Sequence, residues 1–174
     1  LDIAFTLSAD APVLGERVVA DLVLRHRHAI AGETIELPDF AGFDVLAVHE
    51  RRRTIVETAE NGAWRQIAWR WLLFPTRSGP IAIDSIAWRG EMIRSRTQRG
   101  RFAREIAPPA IDVAPAPNEA GDWWLPARNV TLEESWSIDL GTLSAGDEFV
   151  RTITLTAENV LASQLPTIEP LESR

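Results

Sequence analysis

Residues 61–90 read Asn61-Gly62, Ala63-Trp-Arg-Gln-Ile-Ala-Trp-Arg-Trp-Leu-Leu-Phe74, Pro75-Thr-Arg-Ser-Gly79, then Ile81-Ala-Ile-Asp-Ser-Ile-Ala-Trp88 and Arg89-Gly90. Ile67, Trp69, Trp71 and Leu73 fall on alternate positions, with Gln66, Ala68, Arg70 and Leu72 between them. A period of two in aromatic and β-branched residues marks a strand with one face buried. Asn61-Gly62 ahead of it is a hairpin signal, because a type I′ turn needs positive φ at both central residues. Pro75 cannot donate to a ladder and Gly79 frees the backbone, so the chain leaves the sheet there and returns as a strand over Ile81–Trp88. Arg89-Gly90 then turns it into Met92-Ile93. Strand, tight turn, strand, loop, strand is the middle of an antiparallel β-sandwich.

Outward from this centre the same pattern continues. Ile3, Phe5 and Leu7 alternate, and so do Val18, Ala20, Leu22 and Leu24, which predicts strands at the N-terminus and over Glu16–Arg27. Ala31-Gly32 reads as a break. Phe43, Val45 and Ala47 open a strand that runs to Thr58, with a bulge at Arg51-Arg52-Arg53. Arg94–Arg104 holds five arginines and reads as an exposed strand edge or loop, and Ile111 with Val113 makes a closing strand. No helical stripe of ten or more residues occurs; regularly spaced short strands predict an all-β fold.

Ala114-Pro-Ala-Pro-Asn-Glu-Ala-Gly121 is the best boundary in the chain. Beyond it the opening strands recur. Gly15-Glu-Arg-Val-Val-Ala-Asp-Leu-Val-Leu24 lines up with Gly146-Asp-Glu-Phe-Val-Arg-Thr-Ile-Thr-Leu155 at an offset of 131 (146 − 15). Leu165-Pro166 answers Leu37-Pro38. The expected organisation is an immunoglobulin-like sandwich over residues 1–114, a linker over 115–126, and the N-terminal part of a second such sandwich over 127–174. Nothing after Pro166 matches residues 43–113, so the second copy is expected to be cut short or completed by a neighbour, the opening strands alone leaving half a core exposed.

Composition narrows the functional classes. A 174-residue chain with 45% hydrophobic residues has apolar mass for a core. A net charge of −7 argues against a general nucleic-acid binder, and zero cysteines remove disulfides, thiol catalysis and cysteine-ligated zinc. No apolar run reaches the ~18 residues of a membrane span. No charged-then-apolar leader opens the chain, and Leu1 predicts a piece trimmed from a longer product.

Candidate chemistry is sparse. His26 and His28 are spaced to share a strand face, and His49 is the remaining imidazole; without cysteine, a metal there needs a carboxylate as well. No Gly-x-Ser-x-Gly elbow accompanies Ser78, Ser85 or Ser95, and adjacent Glu133-Glu134 point to opposite faces of a strand. The arginines at 51–53 and 94–104 read either as a phosphate-binding stripe or as charge that keeps a sheet edge from pairing with another molecule. Seven tryptophans raise the alternative of a carbohydrate- or peptidoglycan-binding module. Trp69 and Trp71 read as core, while Trp64 and Trp88, flanking turns, fit either place. Trp123 and Trp124 are adjacent and must point apart, so one docks the linker and the other is offered to a partner. Asn129-Val130-Thr131 is a three-residue match to the glycosylation pattern.

The segment Trp123-Trp124-Leu-Pro-Ala-Arg-Asn-Val-Thr-Leu-Glu-Glu-Ser-Trp136, with Leu143–Leu155 and Gln164-Leu165-Pro166, resembles the BatD or oxygen-tolerance proteins of bacteria. Gly15-Glu16, Leu37-Pro38-Asp39, Gly42-Phe43, Phe74-Pro75 and Gly79-Pro80-Ile81 agree more loosely. The motifs are turn and strand signatures and locate no catalytic site. The resemblance implies an exported protein with immunoglobulin-like domains in the periplasm, tethered to the inner membrane by an anchor outside this sequence. It implies von Willebrand factor A-type membrane proteins and a TPR protein as partners, an ATPase of the MoxR type indirectly, and a part in aerotolerance and envelope stress. The expectation is a non-enzymatic protein-interaction module with no cofactor, Trp123 and Trp124 contributing to partner binding.

Overall fold

The computed structural model describes residues 1–58, 62–117, 124–142 and 144–166, with backbone alone at 49–52, 56–58, 62 and 140. The chain divides into two units, Leu1–Gly121 and Asp122–Arg174. The described residues are nearly all β, and every strand pair is antiparallel.

In the first unit β1 (Asp2–Leu7), β2 (Val18–His26), β5 (Gly62–Pro75) and β4 (Phe43–Thr58) form a sheet in the order β1-β2-β5-β4. A second sheet joins β3 (Ala29–Glu36), β7 (Ile86–Ile93) and β8 (Arg99–Ile106) in the order β3-β7-β8. A third pair, β6 (Gly79–Ile81) and β9 (Ile111–Val113), closes one end. The alternation in the sequence sets which face is buried. Val18, Ala20, Leu22 and Leu24 of β2 lie opposite Leu73, Trp71, Trp69 and Ile67 of β5, and all eight are buried. The second sheet supplies Ile86 and Trp88 to the same cluster, with Ile30, Ile35, Phe102 and Ile106 packed against it. Burying each such side chain contributes about 1.5–3 kcal/mol. Phe40 sets its ring on Trp71 at 5.2 Å, and Phe102 meets Trp88 edge-on at 5.2 Å.

β4 runs without a break from Phe43 to Thr58, its register slipping between Ala47 and His49 and again between His49 and Arg52. The bulge expected at the arginines is therefore present. The turn expected at Asn61-Gly62 falls partly outside the described residues, although Thr58 does face Gly62.

Three expectations need correction. Ile81–Trp88 is two strands, because residues 82–85 leave the ladder: β6 pairs with β9 while β7 pairs with β3 and β8. Arg89-Gly90 is the middle of β7 and not a turn. Gly90 is there because a Cβ would lie 2.9 Å from Ile30 Cγ2 and 3.1 Å from Phe102 Cε1. Ala31-Gly32 does not break the chain; the register shifts there within β3, with Gly32 at φ +57° absorbing the extra residue.

The second unit's described residues form a ribbon of β10 (Arg128–Trp136) and β11 (Arg151–Glu158), with single 3₁₀ turns at Leu140–Thr142 and Ala162–Gln164. The strand expected at Phe149 starts two residues later, at Arg151. Ile138, expected beside Trp136 in a strand, lies past the end of β10.

The ribbon repeats the opening of the first unit in detail. The Glu16 carboxylate accepts the Val13 amide at 3.0 Å while the Glu16 amide donates to the Val13 carbonyl at 2.9 Å. Asp147 and Ser144 make the same two bonds at 2.8 and 3.1 Å, and Gly15 and Gly146 both take positive φ, 77° and 101°. At the end of each first strand a serine clamps the second. Ser8 N donates to Val19 O at 2.9 Å and Val19 N to Ser8 Oγ at 2.8 Å; Ser137 and Val150 repeat both distances.

Candidate functional site

Of the paired tryptophans proposed as a docking element, Trp123 lies outside the described residues and Trp124 is half-buried in the second unit. The surface this unit does present is one face of its ribbon. Residues directly opposite in an antiparallel pair project to the same side. One face therefore carries Leu132 with Leu155, Glu134 with Ile153 and Trp136 with Arg151. The other carries Thr131 with Thr156, Glu133 with Thr154 and Ser135 with Thr152. Adjacent Glu133 and Glu134 thus point apart as expected, so they form no carboxylate pair for acid–base work.

The apolar face corresponds, through the 131-residue offset, to the core face of β2. Leu24 is fully buried, whereas its counterpart Leu155 is half-buried and Leu132 beside it is 68% exposed. Among the described residues β11 also has an unpaired side. β2 is flanked by β1 and β5; β11 pairs with β10 and, among the described residues, with no other strand. At one end Trp136 meets Phe149 at a tilt, ring centres 5.4 Å apart, Arg151 lies over the same indole at 5.3 Å, and Arg151 Nε donates to the Glu134 carboxylate. This arrangement can take an added strand through backbone bonds along β11, with apolar side chains from that strand on Leu132, Ile153 and Leu155. The sequence marks these positions by alternation but gives no sign that they remain uncovered.

In the first unit a cleft of about 390 Å³ opens between the ends of β3 and β4, lined by His26, Glu33, Arg53, Arg65, Ile30 and Ile55 among others. His26 is buried and donates from Nδ1 to the His28 carbonyl at 2.7 Å. β2 ends at His26, so His28 does not share a strand face with it. The Glu33 carboxylate, with its side chain 14% exposed, accepts Trp88 Nε1–H at 3.1 Å and lies 3.6 Å from Arg53. Residues 33 and 88 are 55 apart, so nothing local in the sequence points to this contact. Among the described residues no three His, Asp or Glu side chains gather to hold a metal.

Trp69, Trp71 and Trp88 are buried, and Arg27 lies over the half-buried Trp64 at 4.3 Å, whereas Trp136, beside Phe149 and Arg151, is 36% exposed. The guanidinium of Arg70 has its pKa raised by its hydrogen bond to Asp21 and then by that carboxylate's charge. A base with a raised folded pKa contributes stability below its unfolded value and loses it only as pH climbs through the folded one. Protonation of Arg70 therefore adds no pH dependence near neutrality.

No family model matches the sequence, and no curated protein and no solved structure matches it significantly.

Proposed function

We propose that this chain is a non-catalytic protein-interaction module built of immunoglobulin-like β-sandwich elements, of the oxygen-tolerance type that its turn and strand motifs resemble. On this reading it works in the periplasm as part of a membrane-anchored protein. Von Willebrand factor A-type and TPR proteins are its partners, and an ATPase of the MoxR type acts indirectly. The observation that carries the reading is, among the described residues, the uncovered apolar face of β10–β11 beside the unpaired side of β11. The partner's contribution is an extended strand with alternate apolar residues, as β5 supplies to β2.

The test is pull-down of the neighbouring von Willebrand-type proteins by the full chain. Leu132→Glu with Leu155→Glu is expected to weaken capture by about tenfold or more, since charge on a buried anchor position is costly to desolvate. Thr154→Glu, on the polar face, leaves capture unchanged. Trp123→Ala with Trp124→Ala measures whether the linker tryptophans contribute. If the paired leucine variant captures partners as well as the native chain, the reading fails.

A further inference from the structure

One end of the first unit carries Asp10, Asp39, Asp44, Asp84 and Asp112, all exposed, together with exposed Arg17 and Arg77. The other is where β2 ends at His26 opposite Arg65, and where β3 begins near Ile30 opposite Met92; the β7–β8 turn lies there too. Residues 94–104 contain five arginines and no acid, a local charge of +5 within a chain of −7, so the remainder carries −12 (−7 − 5).

Protection of a sheet edge accounts for Arg99, Arg101 and Arg104, which lie on edge strand β8. It does not account for Arg94 and Arg96, which lie in the turn. That turn is held in shape: Arg94 N donates to Gln98 O at 2.9 Å, and Ser95 Oγ accepts the amides of Thr97 at 3.3 Å and Gln98 at 3.0 Å. Beside it is a shallow depression of about 430 Å³ lined by Arg94, Arg99, Arg101, Thr97, Gln98 and Gly100, with Met92. A Cβ on Gly100 would touch nothing within 4 Å, so that side of the depression is open. Among the described residues no carboxylate lies within ion-pair distance of Arg94, Arg96 or Arg101; Glu91 reaches Arg99 alone, at 3.6 Å.

We propose that this basic end of the first unit docks on an anionic phospholipid surface, with a headgroup phosphate seated among Arg94, Arg99 and Arg101. Guanidinium forks match phosphate oxygens, and clustered arginines next to an anionic bilayer each strengthen attachment. Two further features favour a lipid surface over a nucleic acid. Ile55, opposite Arg65 at the same end, is 70% exposed and suits an interface between water and acyl chains. A single-strand site needs free aromatic faces for base stacking, and the indole at this end, Trp64, is already covered by Arg27.

The experiment is co-sedimentation of the full chain with phosphatidylcholine vesicles, with and without phosphatidylglycerol, at low and high salt. The expected result is partitioning that needs phosphatidylglycerol and weakens with salt. Arg94→Glu, Arg96→Glu and Arg101→Glu together should lower it by about a hundredfold, at roughly fivefold per arginine near the surface. Arg17→Glu should leave it unchanged, and thermal unfolding checks that each variant is folded. Gly100→Glu is the second variant, adding a negative charge at the lining of the depression at a position where a Cβ meets nothing within 4 Å. The proposal is overturned if the native chain ignores phosphatidylglycerol, or if the triple variant and Gly100→Glu, both folded, bind like the native chain. It is overturned equally if inorganic phosphate or a single-stranded oligonucleotide binds and vesicles do not.

Discussion

Two glycines in neighbouring strands show how differently one residue type is used. Gly90 sits where β7 passes under Phe102 and Ile30, and a methyl group would press into both at 3.1 and 2.9 Å. Gly100, on the edge strand opposite Met92, has open space where its Cβ would be. Gly90→Val should therefore destabilise the first unit by about 1–3 kcal/mol through overpacking, read as a lower midpoint in urea at unchanged slope. Gly100→Ala should change stability by less than about 1 kcal/mol, in the stabilising direction, because it restricts the unfolded chain without a clash. Equal losses at both positions would show that chain entropy, not the Phe102 contact, sets the glycine at 90. Trp88 carries a similar lesson. Beside Arg89-Gly90 it fits either core or surface on sequence alone. It is fully buried in the core cluster, where Glu33, from a different strand, accepts its indole N–H.

At the scale of elements, the corner that opens each unit is the most exact repetition in the molecule. An acid after a glycine accepts the amide three residues back, and a serine at the end of the preceding strand closes the next. Each bond contributes about 1 kcal/mol net. Ser8→Ala and Ser137→Ala should each cost about 0.5–1.5 kcal/mol, with the Val19 and Val150 amides losing hydrogen-exchange protection in the respective variants. If either amide keeps its protection, the clamp is not what holds that strand pair. The glycine and acid were legible in the sequence as a repeat at constant offset. The serines were not, because Ser137 falls two residues short of the position that offset assigns to Ser8 (8 + 131 − 2). Strands with strict alternation, β2 and β5 above all, were legible because each buries one face against a continuous core. β3 and the two strands within residues 79–93 were not: their limits depend on which neighbour each backbone group bonds, and Gly32 and Gly90 mimic turn signals inside strands. The uncovered face of β10–β11 was legible only as a repeat that stops, since sequence shows alternation but not what lies against it.

For the whole molecule, the two units differ in charge and in core. Residues 122–174 hold nine acids and three arginines, a net of −6, which leaves −1 for residues 1–121 (−7 + 6). Among the described residues all the buried core side chains, from Val18 to Val113, belong to the first unit. Its last strand is tied in through the Val13–Ala114 bridge, with Leu14 N donating to Ala114 O at 2.9 Å and Ala114 N to Pro12 O at 2.8 Å. A chain ending at residue 117 keeps every one of these contacts. It should unfold in one cooperative transition, with Tm within about 4 °C of the corresponding transition in the full chain, a difference under about 1 kcal/mol. A chain ending at Pro109 loses Ile111 and Val113, 0% and 2% exposed, and leaves β6 unpaired. At about 1.5–3 kcal/mol for each buried side chain, that should lower Tm by ten degrees or more, about 3–6 kcal/mol in all. Differential scanning calorimetry of the two fragments separates the outcomes. Broad, non-cooperative melting of the longer fragment would mean that the first unit depends on the second, and equal midpoints for the two would mean that β9 does not close the core.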